Sequence, residues 1–176
     1  MIKESQIDRE DRIGKRMIFT LLAAISPLTV MLFIYCTHPD SALLYVVASW
    51  GSELPAVTSA KNPLLSKVMD LYTKTSPFVA ALFFMTSFKL MSIKKEHSNA
   101  KLIGTLLLYY VFYFCTTYPF LFCNQELTTS GRLLRLMSEN DIFLTFFYSS
   151  LYAGLFVLTV MVFWFTIGVC NALKER

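Results

Sequence analysis

The side chains that most often do chemistry are scarce in this chain and poorly spaced to act together. Its two histidines, His38 and His97, lie in separate loops with a long apolar run between them, so no imidazole pair can share a metal or serve one triad. No H-E-x-x-H, G-x-S-x-G or phosphate-cradling glycine loop occurs, and six glycines in all argue against a nucleotide site. The cysteines, Cys36, Cys115, Cys123 and Cys170, lack the C-x-x-C spacing that a membrane thiol oxidoreductase needs. Cys36 and Cys123 fall near the same membrane boundary, where an oxidising compartment could join them; free buried thiols are the alternative. The residues therefore predict no catalytic group, no metal and no cofactor.

The elements that would have to position any site are apolar. With 55% hydrophobic residues, 16% charge and a mean hydropathy of +0.53, the chain is unlike a soluble domain. Asp, Glu, Lys and Arg are absent from 17–39, 102–125 and 142–173, and each run is long enough to cross ~30 Å of hydrocarbon as a helix. The first run, from Met17 to Cys36, exceeds the about 7 to 15 apolar residues of a signal peptide and has no A-x-A site after it, so an uncleaved anchor is expected. A fourth span is expected over 75–93. Lys89 near its end can stretch to the headgroups, Thr75 or Ser76 can cap it, and Pro77 fits its first turn.

These runs predict an all-α, polytopic membrane protein, one integral domain over 1–176. It is a bundle of four transmembrane helices at about 17–37, 75–93, 102–123 and 143–170. Cations crowd residues 1–16, the loop 94–101 and the tail, whereas Lys61, Lys67, Lys74, Arg132 and Arg135 are spread over the opposite side. The positive-inside rule then puts both termini and the 94–101 loop in the cytoplasm, with outer loops over 38–74 and 124–142. The net charge of +4 is thus expected to meet acidic membrane lipid, not nucleic acid.

The outer loops are not wholly polar. "SALLYVVASW", 41–50, is too short to span and fits an interfacial helix. Asn62-Pro63 is a helix start, and Leu65, Val68, Met69 and Tyr72 form an apolar stripe opposite Lys67, Asp70 and Lys74, which predicts an amphipathic helix feeding the second span. Residues 1–16 read as either a frayed tail or a short surface helix. Pro27 should kink the first span. Asp141 can cap the fourth. Tyr109 and Tyr113 share a face of the third span and need hydroxyl partners, either inside the bundle or on a partner helix.

A small transporter or exporter subunit is the competing reading. It would need an intramembrane carboxylate, and no Asp or Glu falls within the four expected spans.

With "LPAVTSAKNPLLSKVMDLYTKTSPF" and "NQELTTSGRLLRLMSEND" in view, the chain resembles the immunity proteins of the A-type pore-forming colicins. The resemblance rests on Leu54-Pro55 through Thr58-Ser59, Asn62-Pro63-Leu64, Lys67-Val68-Met69-Asp70, Lys74-Thr75 with Pro77, and Glu126-Leu127-Thr128-Thr129 with Gly131. It implies a non-enzymatic four-helix protein of the bacterial inner membrane. Its expected partner is the pore-forming domain of a cognate A-type colicin, met through that domain's hydrophobic helical hairpin and kept from opening as a channel.

Inside a bilayer, hydrophobic burial no longer drives helix pairing, so such recognition must use close packing and hydrogen bonds. Gly104, Thr105, Tyr109 and Tyr113 on the third span and Ser149, Ser150, Ala153 and Gly154 on the fourth are the candidates. At the outer rim, Thr128, Thr129 and Gly131 predict a turn. Arg132 to Met137 then predict a short helix with Leu133, Leu134, Leu136 and Met137 toward the membrane and Arg132 and Arg135 near phosphates; Glu126 is placed to pair with one arginine. This segment either braces the helix ends or forms the rim that selects a hairpin.

Overall fold

The computed structural model describes residues 2–88 and 99–174, with side chains from residue 11 and, after the gap, from Lys101. Lys89, Lys94, Lys95 and the end of the expected 75–93 span lie outside the described residues. The elements run α1 (Ile2–Thr37), α2 (Ala42–Trp50), β1 (Val57–Thr58), α3 (Pro63–Thr73), α4 (Ser76–Ser87), α5 (Asn99–Phe122), β2 (Gln125–Glu126), α6 (Arg132–Ser138) and α7 (Asp141–Lys174). Among the described residues, three stretches are long and apolar enough to cross a membrane: Asp11–Thr37, Lys101–Phe122 and Asp141–Lys174.

α1 is continuous from Ile2, so the N-terminal segment is neither frayed nor a separate surface helix. Its charged start continues the same helix that becomes apolar after Arg16. Pro27 removes the amide that would bond the Ala23 carbonyl, and the Ser26 hydroxyl donates to that oxygen at 2.8 Å instead. One residue on, the Ala24 carbonyl accepts the Tyr72 hydroxyl at 2.7 Å. The proline is accommodated by one local and one long-range hydroxyl.

α7 is the hub, touching α1, α3, α4, α5 and α6. At 34 residues it is about 51 Å long, well beyond the ~30 Å of hydrocarbon, and α3 and α6 pack on its N-terminal part. α3 and α4 run beside it in the same direction. Asn62 bonds Asp141, Tyr72 stacks on Tyr152 at 5.4 Å, Phe83 meets Phe156 at 5.8 Å and Phe84 meets Phe163 at 5.5 Å. α5 runs oppositely, Tyr113 lying at Thr159 and Tyr110 at Thr166. α1 is also opposed: Leu28 clusters with Leu144 and Tyr148, whereas Met17 and Leu21 pack near Phe156 and Val160.

α3 and α4 are separated by Lys74 and Thr75. The break follows from Pro77, which has no amide to bond the Thr73 carbonyl four residues back, and from Thr75, whose hydroxyl turns back to the Tyr72 carbonyl at 2.7 Å. Thr75 is therefore the residue before α4 without capping it through its side chain; Ser76 donates to the Tyr152 carbonyl at 2.9 Å and ties α4 to α7. Asp141 does not cap α7 either. Asn140 does, its side-chain oxygen accepting the Ile142 amide at 2.8 Å, because the Asp141 carboxylate is taken by Asn62.

Two short strands went unforeseen. β1 pairs in parallel with β2, Val57 with Gln125 and Thr58 with Glu126, and so joins the loop before α3 to the loop after α5.

Candidate functional site

Under the 51–62 loop lies a buried polar lattice. The Asp70 carboxylate, on a residue only 2% exposed, accepts Lys74 at 2.7 Å, and the Val57 amide beside it favours its charged form. Lys74 also donates to the Pro55 carbonyl. Tyr148 reaches up from α7 and donates to the Val57 carbonyl at 2.6 Å. Ser66 accepts the Ser59 amide at 3.0 Å, and the Ser59 hydroxyl donates to the Ser138 carbonyl at 3.1 Å, which brings in α6. Asn124 closes the far side by accepting the Ala56 amide at 2.9 Å.

This corrects the amphipathic pattern expected of α3. Leu65, Val68 and Met69 are buried as foreseen, but Asp70 is buried with them and is not on a wet face with Lys67. The reason is that β1 lies over that side and sets the Val57 amide beside the carboxylate. Burial pushes the Asp70 carboxyl up from its ordinary range, while the hydrogen bond and charge of Lys74 oppose the shift.

Of the resemblance-bearing residues, Pro55, Ser59, Asp70 and Lys74 belong to this lattice, Thr58 lies in β1, and Asn62 bonds Asp141 beside it. They build a frame. The pairs that matter most, Asp70 with Val57 and Tyr148 with Val57, were not foreseen; the available signal was a charged pair, Asp70 and Lys74, at helical i,i+4 spacing.

The recognition candidates are not gathered at one point. Tyr109 packs against Phe165 with ring centroids 5.2 Å apart in a tilted arrangement, and Tyr113 meets Thr159 at 3.1 Å, so both are engaged inside the molecule. Thr159 and Thr166 each give their own proton to a carbonyl four residues back, Leu155 and Val162, at 2.7 Å; Tyr113 and Tyr110 are therefore the donors across the helix pair. Gly104 and Thr105 are exposed on α5, continuing into exposed Leu108 and Phe112. Ser150 and Gly154 are exposed on α7, with Ser149 and Ala153 half-buried beside them. A Cβ added at Gly104 or at Gly154 would meet nothing within 4 Å. The two open faces belong to helices locked together by the tyrosine–threonine bonds.

At the rim, α6 forms over Arg132–Ser138 as expected, after the turn closed by the Ser130 amide on the Leu127 carbonyl at 3.3 Å. Its apolar residues divide: Leu134 packs on the core, whereas Leu133 and Leu136 point outward with Arg132 and Arg135. Arg135 lies 3.9 Å from Glu139, and the Glu126 carboxylate accepts the Thr128 hydroxyl, so among the described residues the expected pairing of Glu126 with an arginine is not formed. Glu126, Glu53, Lys67 and Pro55 line a cleft of about 570 Å³ beside β1 and β2. All four cysteines are free thiols. Among the described residues no group of three His, Cys, Asp or Glu side chains could hold a metal.

Chemically, the arrangement offers surfaces: a polar frame above, and open small-residue faces on α5 and α7 below. Residues 40–176 match the protein family described as colicin immunity protein. The chain is 34% identical over 177 residues to the colicin-A immunity protein of Citrobacter freundii, covering 100% of this chain and 99% of that one. It is 28% identical over 172 residues to the colicin-B immunity protein of Escherichia coli, covering 98% of each. No solved structure matches the chain. This chain belongs to the colicin immunity protein family.

Proposed function

We propose that this chain protects the producing bacterium by binding the pore-forming domain of a cognate A-type colicin within the inner membrane and blocking channel opening. The observation that carries the reading is the full-length likeness, at 34% identity, to a protein named for immunity to colicin A. In this reading α1, the column containing α4, α5 and α7 are four spans with both termini cytoplasmic. The alternating directions in which α1, α4 and α5 pack on α7 support it, because consecutive spans must alternate.

Protection here is interception and not turnover. The toxin's hydrophobic hairpin docks on the open faces of α5 and α7, where Gly104, Ser150 and Gly154 let a partner backbone approach and Thr105 supplies a hydroxyl. Tyr109 and Tyr113 act indirectly by fixing α5 against α7. The outer frame, with Glu126, Arg132 and Arg135 at its edge, sets how far the hairpin can descend.

The test is a killing assay on sensitive cells expressing the protein, across a panel of A-type pore-forming colicins. Protection against one toxin and its near relatives is expected, with at least a tenfold loss of that protection on Gly154→Phe (a bulky side chain in the approach path, on the order of 1.4 kcal/mol or more). Sensitivity to every A-type toxin would overturn the reading. Full protection by a stably inserted Gly154→Phe variant would move the docking face elsewhere.

A further inference from the structure

A second cleft lies between α1 and α4, at the level of α1 where the charge-free run begins. Its volume is about 430 Å³, and Lys15, Arg16, Phe19, Thr20, Phe83, Thr86 and Ser87 line it. That size falls within the roughly 300 to 1,000 Å³ of small-molecule sites. The lining follows from helical spacing on both sides. Lys15 and Phe19, and Arg16 and Thr20, are i,i+4 pairs on one face of α1; Phe83, Thr86 and Ser87 are i, i+3, i+4 on one face of α4. Two helices thus present matched faces, each carrying an aromatic ring and hydroxyls, while α1 alone adds two cations.

The chemistry of this lining is graded. Arg16 and Lys15 sit at the charged end, where a guanidinium fork and an ammonium suit phosphate oxygens. Thr20 and Ser87 add hydroxyls suited to ester and glycerol oxygens, while the Thr86 oxygen, its proton already given to the Phe83 carbonyl at 2.8 Å, can accept from a glycerol hydroxyl. Phe83 is buried at the wall, and Phe19, 75% exposed, faces outward along the apolar part of α1. A free anion needs only the cations; a water-filled groove needs no aromatic wall. A ligand with a phosphate at one end and hydrocarbon at the other uses every residue named.

We propose that this cleft holds the phosphate headgroup of an anionic phospholipid of the cytoplasmic leaflet, with Arg16 and Lys15 on the phosphate and an acyl chain along Phe19. Basic pockets between spanning helices on the cytoplasmic side are where such headgroups bind. The site is at the opposite end of the molecule from the outer frame and does not depend on toxin recognition.

The experiment uses the full chain, purified in a neutral detergent and examined by native mass spectrometry after exposure to phosphatidylglycerol or phosphatidylcholine. The intact protein should retain one phosphatidylglycerol in preference to phosphatidylcholine, and millimolar inorganic phosphate should not displace it. Lys15→Gln with Arg16→Gln should lower retention by on the order of tenfold. Thr20→Trp, which fills the cleft and keeps both cations, should lower it comparably. Lys61→Gln with Lys174→Gln removes the same charge elsewhere and should leave it unchanged. Since Lys15 and Arg16 are solvent-exposed, their replacement preserves the helical circular-dichroism signal and the test remains readable. Equal retention by the cleft variants and the control, no preference for the anionic lipid, or displacement by inorganic phosphate alone would each overturn the proposal.

Discussion

Asp70 and Lys74 tie α3 to the 51–62 loop, because each serves that loop as well as the other: Asp70 lies beside the Val57 amide and Lys74 donates to the Pro55 carbonyl. Removing one partner leaves the other charge buried, which costs about 3 to 5 kcal/mol in proteins. Lys74→Met should therefore destabilise the protein by about 3 kcal/mol, the low end, since the lysine side chain keeps 14% exposure. Asp70→Asn in that background should recover part of the loss, because the amide oxygen still lies beside the Val57 amide. Unfolding in mixed micelles with increasing SDS measures both; no recovery in the double variant would contradict the account. The same pair predicts a pH trend. Folding raises the Asp70 pKa, so the folded protein binds that proton more tightly than the unfolded chain. The site's contribution is then largest below the ordinary carboxylate range and declines as pH rises through the raised value. The stability difference between the intact protein and Asp70→Asn should shift in favour of the intact protein as pH falls from neutral; a pH-independent difference would count against it. At this scale the sequence showed the paucity of catalytic groups but misassigned Asp70, since a charge beside an apolar stripe reads as solvated unless something covers it.

Helices were more legible than strands. Asn62-Pro63 marked the start of α3 and Pro77 the first turn of α4, because each is a local steric or hydrogen-bonding effect. β1 and β2, two residues each, are too short for alternation to register, and their pairing spans two distant loops. α6 was found by its turn and apolar content, but which leucines face inward depends on where α7 lies, and no period within seven residues encodes that. The need of the α5 tyrosines for partners was legible; the identity of those partners was not. Tyr110 and Tyr113 donate to Thr166 and Thr159, and hydrogen bonds between membrane helices average about 0.6 kcal/mol each. Tyr110→Phe with Tyr113→Phe should accordingly cost about 1 kcal/mol in SDS unfolding. A loss several times larger would mean that these hydroxyls organise α5 in some further way.

For the whole molecule, the claim is one of orientation and then of stoichiometry. Charge patterning predicts the outer loops on one side and both termini on the other, and the alternating packing on α7 accords with it. In a cysteine-free background, a membrane-impermeant maleimide should label Ser52→Cys in spheroplasts at once, and Lys174→Cys only after the membrane is opened; equal labelling of both in intact spheroplasts would rule out the topology. What the protein does within that topology is most directly read by conductance. Liposomes carrying known amounts of this protein, challenged with the pore-forming domain of its cognate A-type colicin, should lose toxin-induced potassium efflux in proportion to protein added, reaching baseline near one immunity protein per toxin. Efflux unchanged by a large excess of correctly inserted protein would contradict interception in the membrane.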